Sequence, residues 1–261
     1  MEYSGVIKTY DESNYLFKYL LNVKRTQIEM MRDRGFRIND TELRLLDDDY
    51  DVEDFKEDYS DMTNSIRESP SPLIDKKTKG EFLNISLSMI YFSVDGKKAS
   101  YVFYMDNIES DNKATEKQLR ILNNIINLFI VSEYNIDTIV IISKEEIGDN
   151  DKNKFIIPLK EYYIQLFVFN DLSVNKTKHK YVPQHVILSE QEATNYYKRT
   201  NTSPDEQKEI CYDDQIVKYY GGKPGQLVKI YRKEILVHMT VKREIVHRII
   251  TRYSVYTTDV R

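Results

Sequence analysis

The sequence predicts two parts of mixed helix and sheet: an α/β part at the N-terminal end and a smaller α+β part at the C-terminal end. A long amphipathic helix followed by two apolar strands is typical of an α/β layer. The charge balance also changes sign along the chain. Residues before 180 include 24 basic and 32 acidic residues, a balance of −8, whereas residues from 180 onward include 14 and 10, a balance of +4. We therefore predict domains at residues 1–172 and 180–261, with a polar linker at 171–180.

The composition limits the class of protein. Hydrophobic residues make up 41% of the chain and charged residues 31%, which is typical of a soluble globular protein. No run of about 18 apolar residues is present, so we predict no membrane span. The N-terminal residues lack the basic-then-apolar plan of a signal peptide. The single cysteine, Cys211, excludes a disulfide framework and a cysteine-based zinc site within the chain. Together these features predict a reducing, intracellular location.

The first elements are predicted from helix signals. Ser13 is expected to cap a helix that runs to about Arg34, with apolar residues at three- and four-residue spacing, and Gly35 is expected to end it. Thr41 is expected to cap another short helix, although Arg44 stands where a capping box needs Glu or Gln. Residues 63–80 are rich in turn formers and are expected to be mobile.

The next elements predict a small α/β layer. Asp95-Gly96 is a strong hairpin signal between two β-rich segments. A helix and two continuous apolar strands follow, as in sheets that are covered on both faces. Gly148 is the only glycine between these two strands, so no phosphate-binding loop supports a nucleotide, and we predict no cofactor and no small-molecule ligand. The predicted elements are strands at 82–93 and 100–104, a helix at 114–134, and strands at 137–143 and 163–170.

Residues 47–61 contain nine carboxylates. Carboxylates at this density can hold a divalent cation, but the mid-loop glycine and the spacing of a calcium loop are missing. We therefore predict a solvated acidic face and no metal site, with Val52, Phe55 and Tyr59 as the apolar stripe of a short helix. A metal enzyme such as a nuclease, acting through these carboxylates, is the competing hypothesis.

The C-terminal part contains the densest local signals. Ser189 with Glu192 and Ser203 with Glu206 form two capping boxes. Asp214 is expected to cap a third short helix, which ends at Gly221 or Gly222, and a type II turn with Pro second and Gly third is expected at residues 223–226. Strands are predicted at 226–232, 235–242 and 244–257. No nucleophile–base pair or other catalytic set accompanies these signals, so we predict no enzymatic activity.

Two motifs in this part carry a resemblance to a known family. They comprise Val182, Pro183, His185, Leu188 and Ser189, and then Asp214, Ile216, Lys218, Tyr219, Gly221, Lys223, Gly225, Val228, Lys229, Ile230 and Arg232. Residues 180–261 resemble the C-terminal assembly domain of the small subunit shared by the eukaryotic nuclear RNA polymerases, a domain that also has an archaeal counterpart. Residues 23–37, which contain Met31 to Phe36, and residues 52–59 resemble segments of the jaw domain. The archaeal form lacks this domain, so the resemblance is to the eukaryotic form and makes 1–172 a jaw-like domain.

The resemblance implies a non-catalytic subunit of a multisubunit DNA-dependent RNA polymerase. Its assembly domain would anchor to the largest subunit, beside other polymerase subunits, and its jaw would be supported at downstream DNA during transcription. The alternative is a stand-alone nucleic-acid-binding or transcription-regulatory protein with the same assembly fold, and the −8 balance before residue 180 argues against it. We expect His185 and Asp214 to act first as a strand-orienting histidine and a helix cap. The candidate partner-interface residues are His185, Asp214, Lys218, Tyr219, Lys223, Gly225, Lys229 and Arg232.

The sequence departs from the family pattern at several points. Gln215 stands where Pro is usual, Gly222 stands where Leu or Met is usual, and residues 233–243 resemble an insertion in the C-terminal hairpin. Residues 144–147 replace a Thr-Pro-Ser-Ala element that in the family lies toward downstream DNA, so direct DNA contact is not implied. This divergence and an amino-acid usage typical of AT-rich coding favour a large DNA virus as the source. The expected location is then the virion and host cytoplasm, or the nucleus for a cellular protein.

Overall fold

A computed structural model describes residues 12–68, 84–105, 112–131, 135–153, 159, 161–235 and 241–252. The chain divides into two compact units, Met1–Val174 and Asn175–Arg261, called here the N-terminal and C-terminal units. The segment 171–180, predicted to be a polar linker, is partly helical. It contains the end of a short helix, α6 (Phe169–Leu172), and a 3₁₀ turn at Lys176–Lys178.

The N-terminal unit is built on a four-stranded sheet in the order β1-β2-β3-β4. Strands β1 and β2 are antiparallel and form the hairpin predicted at Asp95-Gly96, whereas β2, β3 and β4 are parallel. The strands are β1 (Met89–Phe92), β2 (Ala99–Tyr104), β3 (Ile136–Ser143) and β4 (Tyr163–Val168). The helices are α1 (Glu12–Asp33), α2 (Asp40–Arg44), α3 (Val52–Glu68), α4 (Asn112–Val131) and α5 (Asp149–Asp151), followed by α6.

The two central strands are apolar because helices cover both faces of the sheet. On one face, Leu119 and Leu122 of α4 pack in a buried cluster with Phe103 of β2 and Ile139 of β3. On the other face, the ring of Tyr104 lies 6.4 Å from that of Phe169 in α6, and its hydroxyl donates to Gln27 of α1. Burial on both faces produces continuous apolar strands rather than alternating ones. The predicted α/β layer is therefore confirmed.

Several local predictions for this unit are corrected. Asn39, not Thr41, caps α2, because its side-chain oxygen accepts the N–H of Glu42 at 2.8 Å. Helix α1 begins at Glu12, one residue before the expected cap, Ser13. Residues 63–68, expected in a mobile turn-rich segment, are the last turns of α3. The rest of that segment, and the predicted positions 82–83, 132–134 and 253–257, lie outside the described residues.

A buried polar network joins α1, α2 and β1. The ammonium of Lys24 lies 2.6 Å from a carboxylate oxygen of Glu42, and both side chains are about 5% exposed or less. The same Glu42 oxygen accepts the hydroxyl of Tyr91, and Gln27 donates to that hydroxyl at 2.9 Å. Lys24 also donates to the Leu87 carbonyl at 3.1 Å. Burial lowers the pKa of Lys24, and the carboxylate of Glu42 opposes that shift.

The C-terminal unit contains a second sheet in the order β5-β7-β8-β6. Strands β5 (Gln184–Ile187) and β8 (Val241–Thr251) flank β7 (Leu227–Ile235) in antiparallel pairs. Strand β6 (Glu209–Cys211), which the sequence analysis missed, adds to β8 in parallel. Two short helices, α7 (Glu190–Thr200) and α8 (Gln215–Tyr219), complete the unit. The mixed helix-and-sheet architecture is confirmed.

The described residues of the strand predicted at 235–242 belong to two different strands, and residues 236–240 lie outside the described residues. Residues 233–235 continue β7, and residues 241–243 begin β8, with Lys233 opposite Arg243 and Ile235 opposite Val241. The first predicted strand is therefore longer than expected, and the third, predicted from residue 244, begins at Val241. Within the described part of the chain, no helix is long and apolar enough to cross a membrane.

The Lys24–Glu42 pair is expected to stabilise the N-terminal unit mainly by satisfying two buried charges. The change Glu42→Leu should reduce the free energy of unfolding by about 3–5 kcal/mol, because it leaves a buried ammonium uncompensated. The double change Lys24→Met with Glu42→Leu should reduce the free energy of unfolding much less, because it removes both buried charges. Urea unfolding of the full chain measures both effects, and a cost below about 1 kcal/mol for the single change would contradict this role.

Candidate partner interface

Helix α8 begins at a cap supplied by Asp214. One carboxylate oxygen of Asp214 accepts the backbone N–H groups of Ile216 and Val217 at 3.0 and 3.1 Å. A carboxylate here satisfies two otherwise unpaired donors and lies at the positive end of the helix. The cap predicted from the sequence is confirmed. Gln215, which stands where Pro is usual in the family, therefore begins the helix without disturbing the Asp214 cap.

The C-terminal end of α8 is a Schellman motif. The N–H of Gly221 bonds to the carbonyl of Lys218 at 3.1 Å, and the N–H of Gly222 bonds to the carbonyl of Val217 at 2.9 Å. Gly221 adopts a φ of 71°, the left-handed conformation in which glycine has no steric penalty. Gly221 is therefore the glycine that ends the helix, one of the two residues predicted to do so.

Gly222 has a different role, which is close packing. A Cβ atom at this position would lie 2.7 Å from both the Ile250 Cδ1 and the Val217 Cγ1, and 3.2 Å from the Ile187 Cδ1. The space that Leu or Met would fill is thus occupied by aliphatic groups of β5, β8 and α8. Gly222 is buried, and the three surrounding side chains belong to the apolar core of this unit. The departure from the family pattern is compensated by branched residues around it.

The turn that follows joins the helix to β7. Gly225 has a φ of 89°, and the N–H of Gln226 bonds to the Lys223 carbonyl at 3.1 Å, as expected for a type II turn with Pro224 second. The side chain of Gln226 accepts the N–H of Lys223 at 2.7 Å. The N–H of Gly225 bonds to the Ile250 carbonyl at 2.8 Å, so the turn is also attached to β8.

His185 lies in β5 opposite Ile230 and is 8% exposed. Its Nδ1 donates to the Pro183 carbonyl at 2.8 Å, which is the strand-orienting hydrogen bond expected from the sequence. Burial lowers the pKa of His185, while the hydrogen bond to Pro183 and the charge of Asp214 oppose this shift and Arg232 adds to it. His185, Asp214 and Arg232 therefore lie close enough to interact electrostatically.

Lys218 and Tyr219 are held within the unit. The ammonium of Lys218 lies 3.4 Å from a carboxylate oxygen of Asp213, and the Lys218 side chain is largely buried. Tyr219 is 5% exposed, and its hydroxyl accepts a hydrogen bond from the side chain of Asn175 at 3.0 Å. Asn175 was not among the predicted site residues, although an Asn two residues before Thr177 is a signal for a local turn. Its oxygen accepts the Thr177 N–H at 3.0 Å.

The candidate interface residues do not lie on one surface. Directly opposite residues of paired strands share a face, so His185 and Ile230 lie on the face toward α8, and Arg232 follows on that face. Lys229 lies on the opposite face, with its ammonium 4.7 Å from the centre of the Tyr231 ring. Lys223 and Gly225 are at the turn. The partner-contact role of all eight residues stays a prediction.

Two carboxylates of the acidic segment 47–61, Asp51 and Asp58, have structural roles. Asp51 accepts the N–H groups of Glu53 and Asp54 at 2.8 and 3.0 Å and so caps α3, and Asp58 accepts the hydroxyl of Tyr50 at 2.8 Å. Phe55 and Tyr59 are buried, as the predicted apolar stripe requires. Among the residues whose placement is described, no group of three or more His, Cys, Asp or Glu side chains is arranged to hold a metal ion.

The polar residues described in the C-terminal unit cap helices, close turns and fix strands. Residues 174–250 match the family described as RNA polymerase Rpb5, C-terminal domain. The match covers α7, α8 and nearly all of the second sheet.

Similarity to known proteins extends beyond this unit. The chain is 26% identical to the DNA-directed RNA polymerase V subunit 5A of Arabidopsis thaliana over 213 residues, which cover 81% of each chain. It is 25% identical to subunit RPABC1 of the DNA-directed RNA polymerases I, II and III of Caenorhabditis briggsae, over 82% of this chain and 88% of that relative. The chain is therefore homologous to RNA polymerase subunits of this type. The comparisons extend over both units.

The close packing of Gly222 generates a test. The change Gly222→Ala should lower the free energy of unfolding of the C-terminal unit by about 1–3 kcal/mol, because Val217 and Ile250 cannot move freely in a packed core. Adding Ile250→Val, which removes the Cδ1, should recover part of the loss. The control is Gly148→Ala, since Gly148 is exposed and a Cβ there would meet nothing within 4 Å. Equal effects of the two glycine changes would contradict this explanation.

The lowered pKa of His185 predicts a pH dependence of stability. The unfolded chain binds a proton at this histidine near pH 6.5, whereas the folded chain does so only at lower pH. Stability should therefore fall as the pH drops below about 6.5 and level off below the folded pKa.

Urea unfolding at about pH 7.5 and about pH 5.5 measures this effect. The change His185→Asn keeps a donor for the Pro183 carbonyl and should reduce the difference between the two pH values. The change His179→Asn, at an exposed histidine, should leave it as in the wild type. A difference that is unaltered by His185→Asn would contradict the assignment.

Proposed function

We propose that the chain is a non-catalytic subunit of a multisubunit DNA-dependent RNA polymerase. The observation that carries this proposal is the match of residues 174–250 to the Rpb5 C-terminal domain family, together with relatives that cover more than four-fifths of the chain. The relatives are named as subunits of DNA-directed RNA polymerases. Homology over both units supports the same role for the whole chain.

The C-terminal unit is the proposed anchor on the largest polymerase subunit. A unit of this size has a small core and gains stability from burial against a partner. Its helices are short, yet it contains a complete capping box at Ser189–Glu192, the Asp214 cap and a hydrogen-bonded turn. Such local restraints hold a surface in one shape before binding, which reduces the ordering cost of association.

The N-terminal unit is the proposed jaw-like support near downstream DNA. Its role is structural because acidic residues outnumber basic ones by eight before residue 180, which disfavours extensive contact with phosphates. In the segment that replaces the family's DNA-proximal element, Glu145 and Glu146 are exposed beside Lys144. The proposal therefore assigns support of the jaw, rather than DNA binding, to this unit.

The proposal extends to the source of the polymerase. A large DNA virus with its own multisubunit enzyme fits the divergence at Gln215 and Gly222 and the insertion-like segment 233–243. The chain would then be carried in the virion and act in the host cytoplasm. Detection of this chain in purified virions, at a constant ratio to the large polymerase subunits, tests this part separately.

A tagged full chain tests the polymerase assignment. Purification from its native cells or particles should yield two very large co-purifying chains and template-dependent RNA synthesis. The change Val217→Asp, at a fully buried position of the C-terminal unit, should abolish co-purification. The matched control Val94→Asp lies at a position 63% exposed and should retain it.

Two results would contradict the assignment. One is an intact, active polymerase that lacks this chain. The other is a free chain that binds DNA in a salt-dependent manner and recovers no large subunits.

A further inference from the structure

The face of the second sheet on which Lys229 lies becomes more exposed along β7 and β8. Opposite residues form successive rows on this face. In the first row Leu227 and Ile249 are 0% and 9% exposed, whereas two rows further along Tyr231 and Ile245 are 36% and 50% exposed. The middle row, Lys229 and His247, is half-buried. Two large apolar side chains thus lie side by side at the surface.

The exposure increases where the covering helix and the neighbouring strands end. Tyr196 of α7 stacks on His247 with the ring centres 4.0 Å apart, so α7 covers the middle row. On the β7 side, β5 ends its pairing at Tyr231, and on the β8 side, β6 pairs only with residues 249–251. Within the described residues the hairpin continues beyond both strands as a two-stranded ribbon. Such a ribbon is marginally stable alone and gains from a partner.

Basic residues lie in the rows on both sides of the exposed pair. One neighbouring row on this face contains Lys229, and in the other the hairpin register places Lys233 opposite Arg243. The ammonium of Lys229 lies over the Tyr231 ring. Burial is the main cause of the lowered pKa of His247, and the charges of Lys229 and Arg199 lower it further. Both charges therefore lie near the middle row.

We propose that this surface, formed by Arg199, Lys229, Tyr231, Ile245 and His247, binds an acidic protein segment that carries at least one apolar side chain. The proposal rests on the proposed function, and the segment belongs to another polymerase subunit. Tyr231 and Ile245 would form the apolar centre of such an interface, and the nearby cations would form its polar rim. A nucleic acid fits less well, because Ile245 offers nothing to phosphates and Lys229 occupies one face of the Tyr231 ring.

A photo-crosslinking residue, p-benzoylphenylalanine, tests the contact in the assembled complex. It replaces Ile245 in the tagged full chain, and Phe92, 37% exposed in the N-terminal unit, is the matched control position. After purification and irradiation, crosslinked peptides are identified by mass. Position 245 should yield a peptide of another polymerase subunit with more acidic than basic residues and at least one large apolar residue, and position 92 should not yield that peptide.

Charge reversal tests the chemistry of the same contact. The double change Arg199→Glu with Lys229→Glu should lower the crosslinking yield from position 245 by about tenfold or more, the loss expected for about 1.4 kcal/mol of binding free energy. The change Lys144→Glu, at an exposed lysine of the N-terminal unit, should leave the yield unchanged. Raised salt should weaken the contact in the wild type and have less effect after charge reversal.

The outcomes separate this inference from the proposed function. A basic crosslinked peptide, a nucleic-acid adduct, an unchanged yield after charge reversal, or no crosslink in a complex that contains the polymerase would overturn the inference alone. A chain that recovers no polymerase subunits would overturn the proposed function, and with it the assignment of the segment to a polymerase subunit.

Discussion

The C-terminal unit depends on the close approach of α8 to the sheet at Gly222. A side chain at this position would overlap Val217 of the helix and Ile250 of β8, so the absence of a Cβ sets how near the helix lies. The Schellman motif immediately before it turns the chain toward the Pro-Gly turn. The N–H of Gly225 then bonds to the carbonyl of the same Ile250. Helix, turn and two strands are thereby held by one small region.

The arrangement explains the conspicuous polar residues of the C-terminal unit. Asp214 accepts helix N–H groups, His185 fixes the chain at Pro183, and Tyr219 pairs with Asn175. Each polar group is used to hold backbone or a neighbouring side chain. This use of polarity is consistent with the proposed role as a polymerase subunit, and the exposed Tyr231–Ile245 row is the proposed contact for another subunit.

Local signals predicted the α8–turn–β7 segment correctly because each step is determined by neighbours in sequence: a carboxylate cap, a glycine stop and a Pro-Gly turn. The path of the hairpin could not be predicted in this way. Residues 235–242 alternate as a strand does, and a period of two does not reveal that residue 235 ends one strand and residue 241 begins the next. Strand β6 was missed because three residues carry little pattern and its partner, β8, lies some 40 residues further along the chain.

The same distinction applies to the site. The hydrogen bond of His185 and the cap at Asp214 are local, and both were expected. The stacking of Tyr196 on His247 and the packing around Gly222 join distant segments, so no spacing in the sequence indicated them. His185 and Arg232 lie on one face of the sheet and Lys229 on the other, a division that follows from strand register.

Hydrogen–deuterium exchange of the chain, free and within purified polymerase, tests the central claim most directly. That claim is that the C-terminal unit holds the chain in the enzyme. The account predicts that the added protection within the polymerase is concentrated in residues 175–252, including the part of the hairpin that extends beyond β5 and β6. Added protection confined to residues 12–174, or exchange of the C-terminal unit that is identical in both states, would contradict it.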